Sequence, residues 1–240
     1  MIYTHRIRIA GATARRKLKM NSKTKKLVGI GLFTAVVVVL QLLGGGIRFG
    51  VFSISLVLVP IVVGAAVYGW QAGAWLGFTF GAAVLLSGDA GAFLTVDVFG
   101  TVLTVLVKGT AAGLVSGLVY QYILKLLNKR SQKAIQYMKD HHNLGQCCEA
   151  GVYEYIIRNN RYFAVIVAAA VCPIMNTGIF LLGCKLFFMD TVTAWGAAAG
   201  FANVGAYMFI GLAGINFLVE LGVNLLLAPV ITRLIVYANK

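Results

Sequence analysis

Two charged residues stand where charge is least expected. Lys108 and Glu220 each lie inside a long apolar block, where an ionised side chain is costly unless it is paired, faces a cavity or serves a function. Asn216, Glu220 and Asn224 follow one another at i, i+4 and i+8, so a helix carries them on one face. Asn176 is a further polar residue in an apolar block, shortly after Pro173, whose ring removes a helical N–H. An ammonium, a carboxylate and three amides form a binding set. Lys108 suits a carboxylate or phosphate, Glu220 an amine or hydroxyl, and the Asn side chains neutral hydrogen bonds. They do not form a catalytic set. The chain has no P-loop, no His-Glu-x-x-His and no Gly-x-Ser-x-Gly, so neither ATP use by that route nor those hydrolytic chemistries is expected, and the reading is not an enzyme. His141, His142, Cys147 and Cys148 are soft ligands, but their spacing matches no standard zinc finger. A solvated interfacial helix and turn is preferred there, with no metal site. Cys172 and Cys184 read as small buried hydrophobes.

The elements that position these residues follow from composition. Of 240 residues, 60% are hydrophobic and only 12% charged, with a mean hydropathy of +0.86. Such a chain lacks the surface of a soluble domain. Its apolar residues fall in blocks near the ~17–25 residues that cross a bilayer as a helix, without the strict alternation of a membrane barrel. The expected fold is all-α and polytopic, with six transmembrane helices over 27–43, 51–68, 72–87, 101–127, 162–188 and 206–237. The connections are a Gly-rich loop at 44–50 carrying Arg48, a loop at 88–100 with Asp89 and Asp97, a polar loop at 128–161 and a small-residue loop at 189–205.

Basic residues set the orientation, since they gather on the cytoplasmic side. Nine lie in residues 1–26, seven between Lys125 and Arg161, and two, Arg233 and Lys240, at the C-terminal end. Both termini and the 128–161 loop are therefore expected in the cytoplasm. The net charge of +14 is explained by these flanks and does not imply nucleic acid. Met20-Asn21-Ser22-Lys23 reads as a natural start before a first span, which makes 1–19 either upstream of the true start or a basic tail.

Counting down from the outer ends at 1.5 Å per residue puts Lys108 ~11–16 Å deep and Glu220 ~20 Å deep, with Asn176 at a similar level. The three are expected in one layer. Two readings fit that layer. One is a polar ligand site, for which Arg48, Asp89 and Asp97 offer a mouth, although each alone reads as a solvated loop charge. The other is an internal Lys108–Glu220 ion pair with interhelical Asn bonds, in a structural membrane protein that organises partners. Small residues form a second pattern: Gly31 and Ala35 on span one, Gly69, Gly73, Gly77 and Gly81 through span three, and Gly109, Gly113 and Gly117 on span four. This spacing lets helices approach closely, and internal packing is the expectation for most of them.

The stretch from Pro60 through Tyr68-Gly69-Trp70-Gln71 to Gly77, then Lys108-Gly109-Thr110-Ala111-Ala112-Gly113, resembles the S components of energy-coupling factor (ECF) transporters, the substrate-capture subunits of prokaryotic vitamin importers. The likeness covers about residues 20–237. It implies capture of a vitamin or related micronutrient near the outer face, through helices four to six and the first outer loop. It also implies docking to a membrane scaffold (T) subunit and two ATPases, which use the ATP, so this chain needs no cofactor. The subunit would sit in the plasma membrane and topple to release its cargo inside. The scaffold contact of that family is an Ala-x-x-x-Ala on the first helix; here Gly31 and Ala35 occupy it, with Gly in place of the first Ala. The implied ligand set is Lys108, Asn176, Asn216, Glu220 and Asn224, with Arg48 on a lid, and an anionic or zwitterionic ligand. The loop at 128–161 is longer than that family's usual connection.

Overall fold

The computed structural model describes residues 22–44, 48–49, 52–53, 56–141 and 146–238. Helix α1 spans Ser22–Gly44. Two short strands follow, β1 (Arg48–Phe49) and β2 (Phe52–Ser53), paired antiparallel with Arg48 opposite Ser53. Then come α2 (Leu58–Tyr68), α3 (Trp70–Leu86), the single turn α4 (Gly91–Leu94), α5 (Val98–His141), α6 (Gln146–Phe187) and α7 (Met189–Ala198). The short α8 (Val204–Ala206) runs into a π-helical segment at Tyr207–Gly214 and on into α9 (Ile215–Leu226), and α10 (Ala228–Ala238) ends the described chain.

Four helical stretches are long and apolar enough to cross a membrane: Lys23–Gly44, Val98–Tyr137, Tyr153–Phe187 and Val204–Leu226. Leu58–Tyr68 and Trp70–Leu86 are shorter apolar helices. These six coincide with the six expected blocks, and the protein is an all-helical polytopic membrane protein apart from the small hairpin. Its outer surface carries Leu27, Leu32, Leu43, Leu86, Phe99, Leu186, Phe209 and Leu226, all strongly exposed. In water such a surface would drive association; in lipid it is the solvated one.

Several boundaries differ from the sequence reading. The second block was expected to be helical from Val51, but extended pairing at Phe52–Ser53 delays its helix to Leu58. The resulting 11 residues span only ~16 Å, so α2 does not cross a bilayer core by itself. Arg48 belongs to a strand and not to a free loop. The 189–205 segment is largely helical, because Thr-Val-Thr-Ala-Trp-Gly-Ala-Ala continues one apolar face that buries Val192 and Gly196. The sixth block breaks after Leu226, where α10 restarts at Ala228 with Pro229 in its first turn, a place that tolerates proline.

The polar 128–161 stretch is helical on both sides. Helices α5 and α6 continue their transmembrane portions as one antiparallel pair, and Asn160 donates to both Asn128 Oδ1 (3.1 Å) and Ser131 Oγ (2.8 Å). The side chains of His141, His142, Cys147 and Cys148 lie outside the described residues. So do residues 1–21, and with them the proposed start at Met20. No group of metal-binding side chains occurs among the described residues.

The core is built from α2, α3, α5, α6 and α10. Val57, Leu58, Ile61, Leu76, Phe80, Val165, Ile231 and Ile235 are all sealed from the surface. Its closest joint lies between α3 and α5. A Cβ on Gly73 or Gly77 would run into the backbone carbonyls of Gly113 and Gly109, and the reverse holds as well. The two glycine ladders therefore mesh with each other, as the internal-packing expectation holds. Cys172 and Cys184 are buried free thiols.

Candidate functional site

The meshed glycines place Lys108, next to Gly109, on the inner side of α5. Helix α6 brings Asn176 in from one side. The stretch α8–α9 brings Asn216 and Glu220 from the other. The π-helical segment contributes Leu212 and Ala213; its wide turns re-phase the residues that follow, a device common at functional sites. These elements enclose a cavity of about 70 Å³, well above the ~10–15 Å³ needed to admit a water. Lys108, Asn176, Asn216 and Glu220 all line it, together with Gln41, Asp89, Thr104 and Phe180.

Glu220 is 2% exposed and Asn176 6%. Asn176 Nδ2 donates to Glu220 Oε2 at 3.5 Å, and Asn216 Nδ2 to Oε1 at 3.4 Å. A carboxylate only accepts, so both amide nitrogens must turn towards it. That leaves Asn176 Oδ1 and Asn216 Oδ1 buried with no partner, and Thr104 Oγ1 shares this state. Buried acceptors of this kind are rare in a finished core and each calls for a reason. The ammonium of Lys108 stands 5.2 Å from the centre of the Phe180 ring, a cation–π distance. Glu220 and Asp89 supply negative charge that acts on it.

Asn224 shares the helix face but not the cavity. It is 1% exposed, and its Nδ2 donates to the backbone oxygen of Glu220 at 3.0 Å, one turn back. Arg48 sits in β1, and its side chain lies outside the described residues. Asp97 caps α5 by accepting from the Phe99 N–H at 3.0 Å. Gly31 and Ala35 are exposed on α1, and a Cβ on Gly31 would meet nothing within 4 Å.

A family model for the substrate-specific component of ECF transporters matches residues 25–232. The chain belongs to this family. It is a transport subunit of the membrane, and its polar cavity belongs to a protein class defined by substrate specificity. No curated protein and no solved structure matches the chain.

Sequence reasoning missed several residues of this S component's cavity. Gln41 is the clearest. It lies in α1, is 2% exposed, and donates to Asp89 Oδ2 at 2.6 Å, while Ser87 donates to the same oxygen at 3.0 Å. Asp89 is therefore part of the wall and not only a solvated loop charge. A lone Gln in an apolar span was a signal available in the sequence. Phe93 and Phe180 gave none, since aromatic residues are common throughout such spans. Replacing Gln41 with Leu is expected to lower the thermal midpoint through loss of a charge-assisted bond, about 1.5–3 kcal/mol; an unchanged midpoint in detergent would show that the Gln41–Asp89 contact carries no stability.

Proposed function

We propose that this S component is the capture subunit of an ATP-driven importer of a vitamin or similar micronutrient in a prokaryotic plasma membrane. Six spans with both termini cytoplasmic put the cavity towards the outer face. Lys108 meets a carboxylate or other acceptor of the ligand, Glu220 an amine or hydroxyl, and Asn176 and Asn216 complete the hydrogen bonds. Asn224 acts from behind by bonding the Glu220 backbone, and Arg48 belongs to the lid. The single observation that carries the reading is a cavity whose wall holds two buried amide oxygens without partners beside a buried carboxylate and an ammonium. A sealed ion-pair layer would have no use for that space. The chain itself carries out no covalent chemistry and holds no cofactor; ATP is hydrolysed by two partner subunits joined through the scaffold.

Native mass spectrometry of the chain, purified in mild detergent from cells grown in rich medium, tests this. A stoichiometric small-molecule adduct is expected. A clean unliganded mass with no thermal shift from a vitamin panel would favour the second reading, in which Lys108, Glu220 and the Asn side chains form an internal network of a partner-organising protein.

The scaffold contact has its own test. Gly31 and Ala35 face outward with open space over Gly31, so Gly31→Leu is expected to change stability by no more than ~0.5 kcal/mol while abolishing co-purification with the scaffold subunit. Retained assembly would move the docking face elsewhere on the protein.

A further inference from the structure

The walls of the cavity differ in kind, and together they restrict what fits. One wall is aromatic. Phe80, Phe93, Phe180 and Phe188 line it, and Phe93 meets Phe180 at 5.7 Å and 89°, and Phe188 at 5.1 Å and 71°. These rings, set nearly at right angles with the Lys108 ammonium over Phe180, make an aromatic surface on which a guest ring packs as aromatic pairs prefer.

The polar part of the lining offers acceptors. Asn176 Oδ1, Asn216 Oδ1 and Thr104 Oγ1 are buried without partners. The Asn176 and Asn216 amide nitrogens each donate to Glu220, which fixes the other end of each amide as the acceptor. Among the described residues lining the cavity, the charged groups are Asp89, Lys108 and Glu220, one cation against two acids. A bare anion entering this space leaves the amide oxygens unsatisfied. A guest with N–H groups satisfies them.

We infer that the ligand is a compact planar aromatic ring bearing N–H donors, as in an aromatic amine, carboxamide or amino-substituted nitrogen heterocycle, with the ring in the Phe93–Phe180–Phe188 corner and the N–H edge on Asn176 Oδ1 and Asn216 Oδ1. An acceptor beside that edge, a ring nitrogen or carbonyl oxygen, faces Lys108. This inference rests on the S-component reading of the cavity and narrows it from an anionic or zwitterionic ligand to a donor-bearing aromatic one.

A matched set of probes separates the requirements. Benzamide has the ring, the donors and the acceptor. Benzoate has the ring and an anion but no donor. Cyclohexanecarboxamide has the polar group without the ring, and 4-aminopyrimidine carries the donor and acceptor on a heterocycle. Each is added at millimolar concentration to the full chain in detergent, after exchange of any co-purified ligand, and followed by ligand-detected NMR and thermal shift. Benzamide and 4-aminopyrimidine are expected to bind at least tenfold more tightly than the other two. In Asn176→Leu and Asn216→Leu, the preference for benzamide over benzoate is expected to fall roughly tenfold, the loss of about one well-made buried hydrogen bond. A preference ratio does not move through a general loss of folded protein.

Benzoate binding as well as benzamide overturns the donor requirement, and cyclohexanecarboxamide doing so overturns the aromatic one. Failure of benzamide and 4-aminopyrimidine to bind overturns the class as a whole. Each of these leaves the S-component reading standing if the chain still carries a stoichiometric adduct and assembles with its scaffold. Absence of both adduct and assembly overturns the underlying reading instead.

Discussion

Replacing Lys108 with Met is expected to weaken ligand binding by roughly 30-fold to several-thousand-fold, the ~2–5 kcal/mol that follows truncation of a buried charged partner, with the protein still folded. The reason lies in what Glu220 keeps. Its carboxylate loses the positive charge of Lys108 but retains the Asn176 and Asn216 amide donors, so it is not left as a bare charge. The ligand loses its one cationic partner on the described cavity wall. The competing account, an ion pair that only holds helices together, expects the reverse. There Lys108→Met costs about 3–5 kcal/mol of stability, and the double change Lys108→Met with Glu220→Leu restores it. The measurement is a paired one: affinity for the extracted ligand, and reversible unfolding in mixed detergent micelles, on the single and double variants. Rescue of stability by the double change, after a large loss in the single, would establish the ion pair and remove Lys108 from the ligand site.

Gly77→Leu is expected to destroy the fold. The α3 and α5 backbones meet where Gly77 faces the Gly109 carbonyl and Gly73 the Gly113 carbonyl, and at Gly81 an added Cβ would stand 2.8 Å from the Val105 carbonyl oxygen. The obstacle is backbone on the opposite helix, which cannot swing aside as a side-chain tip can. Ordinary overpacking costs about 1–3 kcal/mol; prising two meshed helices apart along their length is expected to exceed that and to leave little monodisperse protein. Gly77→Ala, with one methyl, should fold but unfold earlier, and should also bind ligand more weakly, because the displaced segment of α5 carries Lys108 beside Gly109. Gly222, where a Cβ meets nothing within 4 Å, is the control, and Gly222→Ala should change neither property by more than ~0.5 kcal/mol. Equal behaviour of Gly77→Ala and Gly222→Ala would show that the two ladders are not under steric constraint.

Much of this was written in the residue order. Blocks of apolar residues marked the apolar helices, four of them long enough to cross a membrane, because lipid leaves a chain few options other than helices that satisfy their own backbone. Lys108, Asn176 and Glu220 could be assigned to one layer because a helix advances at a fixed rise, and the cavity they line bears out that co-location. The glycine ladders announced close helix contact, since spacing by four is a property of one helix alone.

Tertiary structure decided the rest, and the reason in each case is that the deciding partner lies far away in the chain. The ladders on α3 and α5 each ask for a close neighbour, but only the assembled helices make them each other's. Asn224 has the right face and spacing for the site, yet it bonds the Glu220 backbone and misses the cavity, because a helix face is wider than the opening it meets. Gln41 and Asp89, 48 positions apart, join only when α1 packs beside the end of α3. The restart at Ala228 and the helix at Met189–Ala198 depend on which apolar faces find cover, and hydropathy by itself does not report that. By itself the sequence determined that this chain lives in a membrane and that Lys108, Asn176, Asn216 and Glu220 are polar residues within it; the packing determined that these four line a shared cavity together with unsatisfied acceptors and aromatic rings.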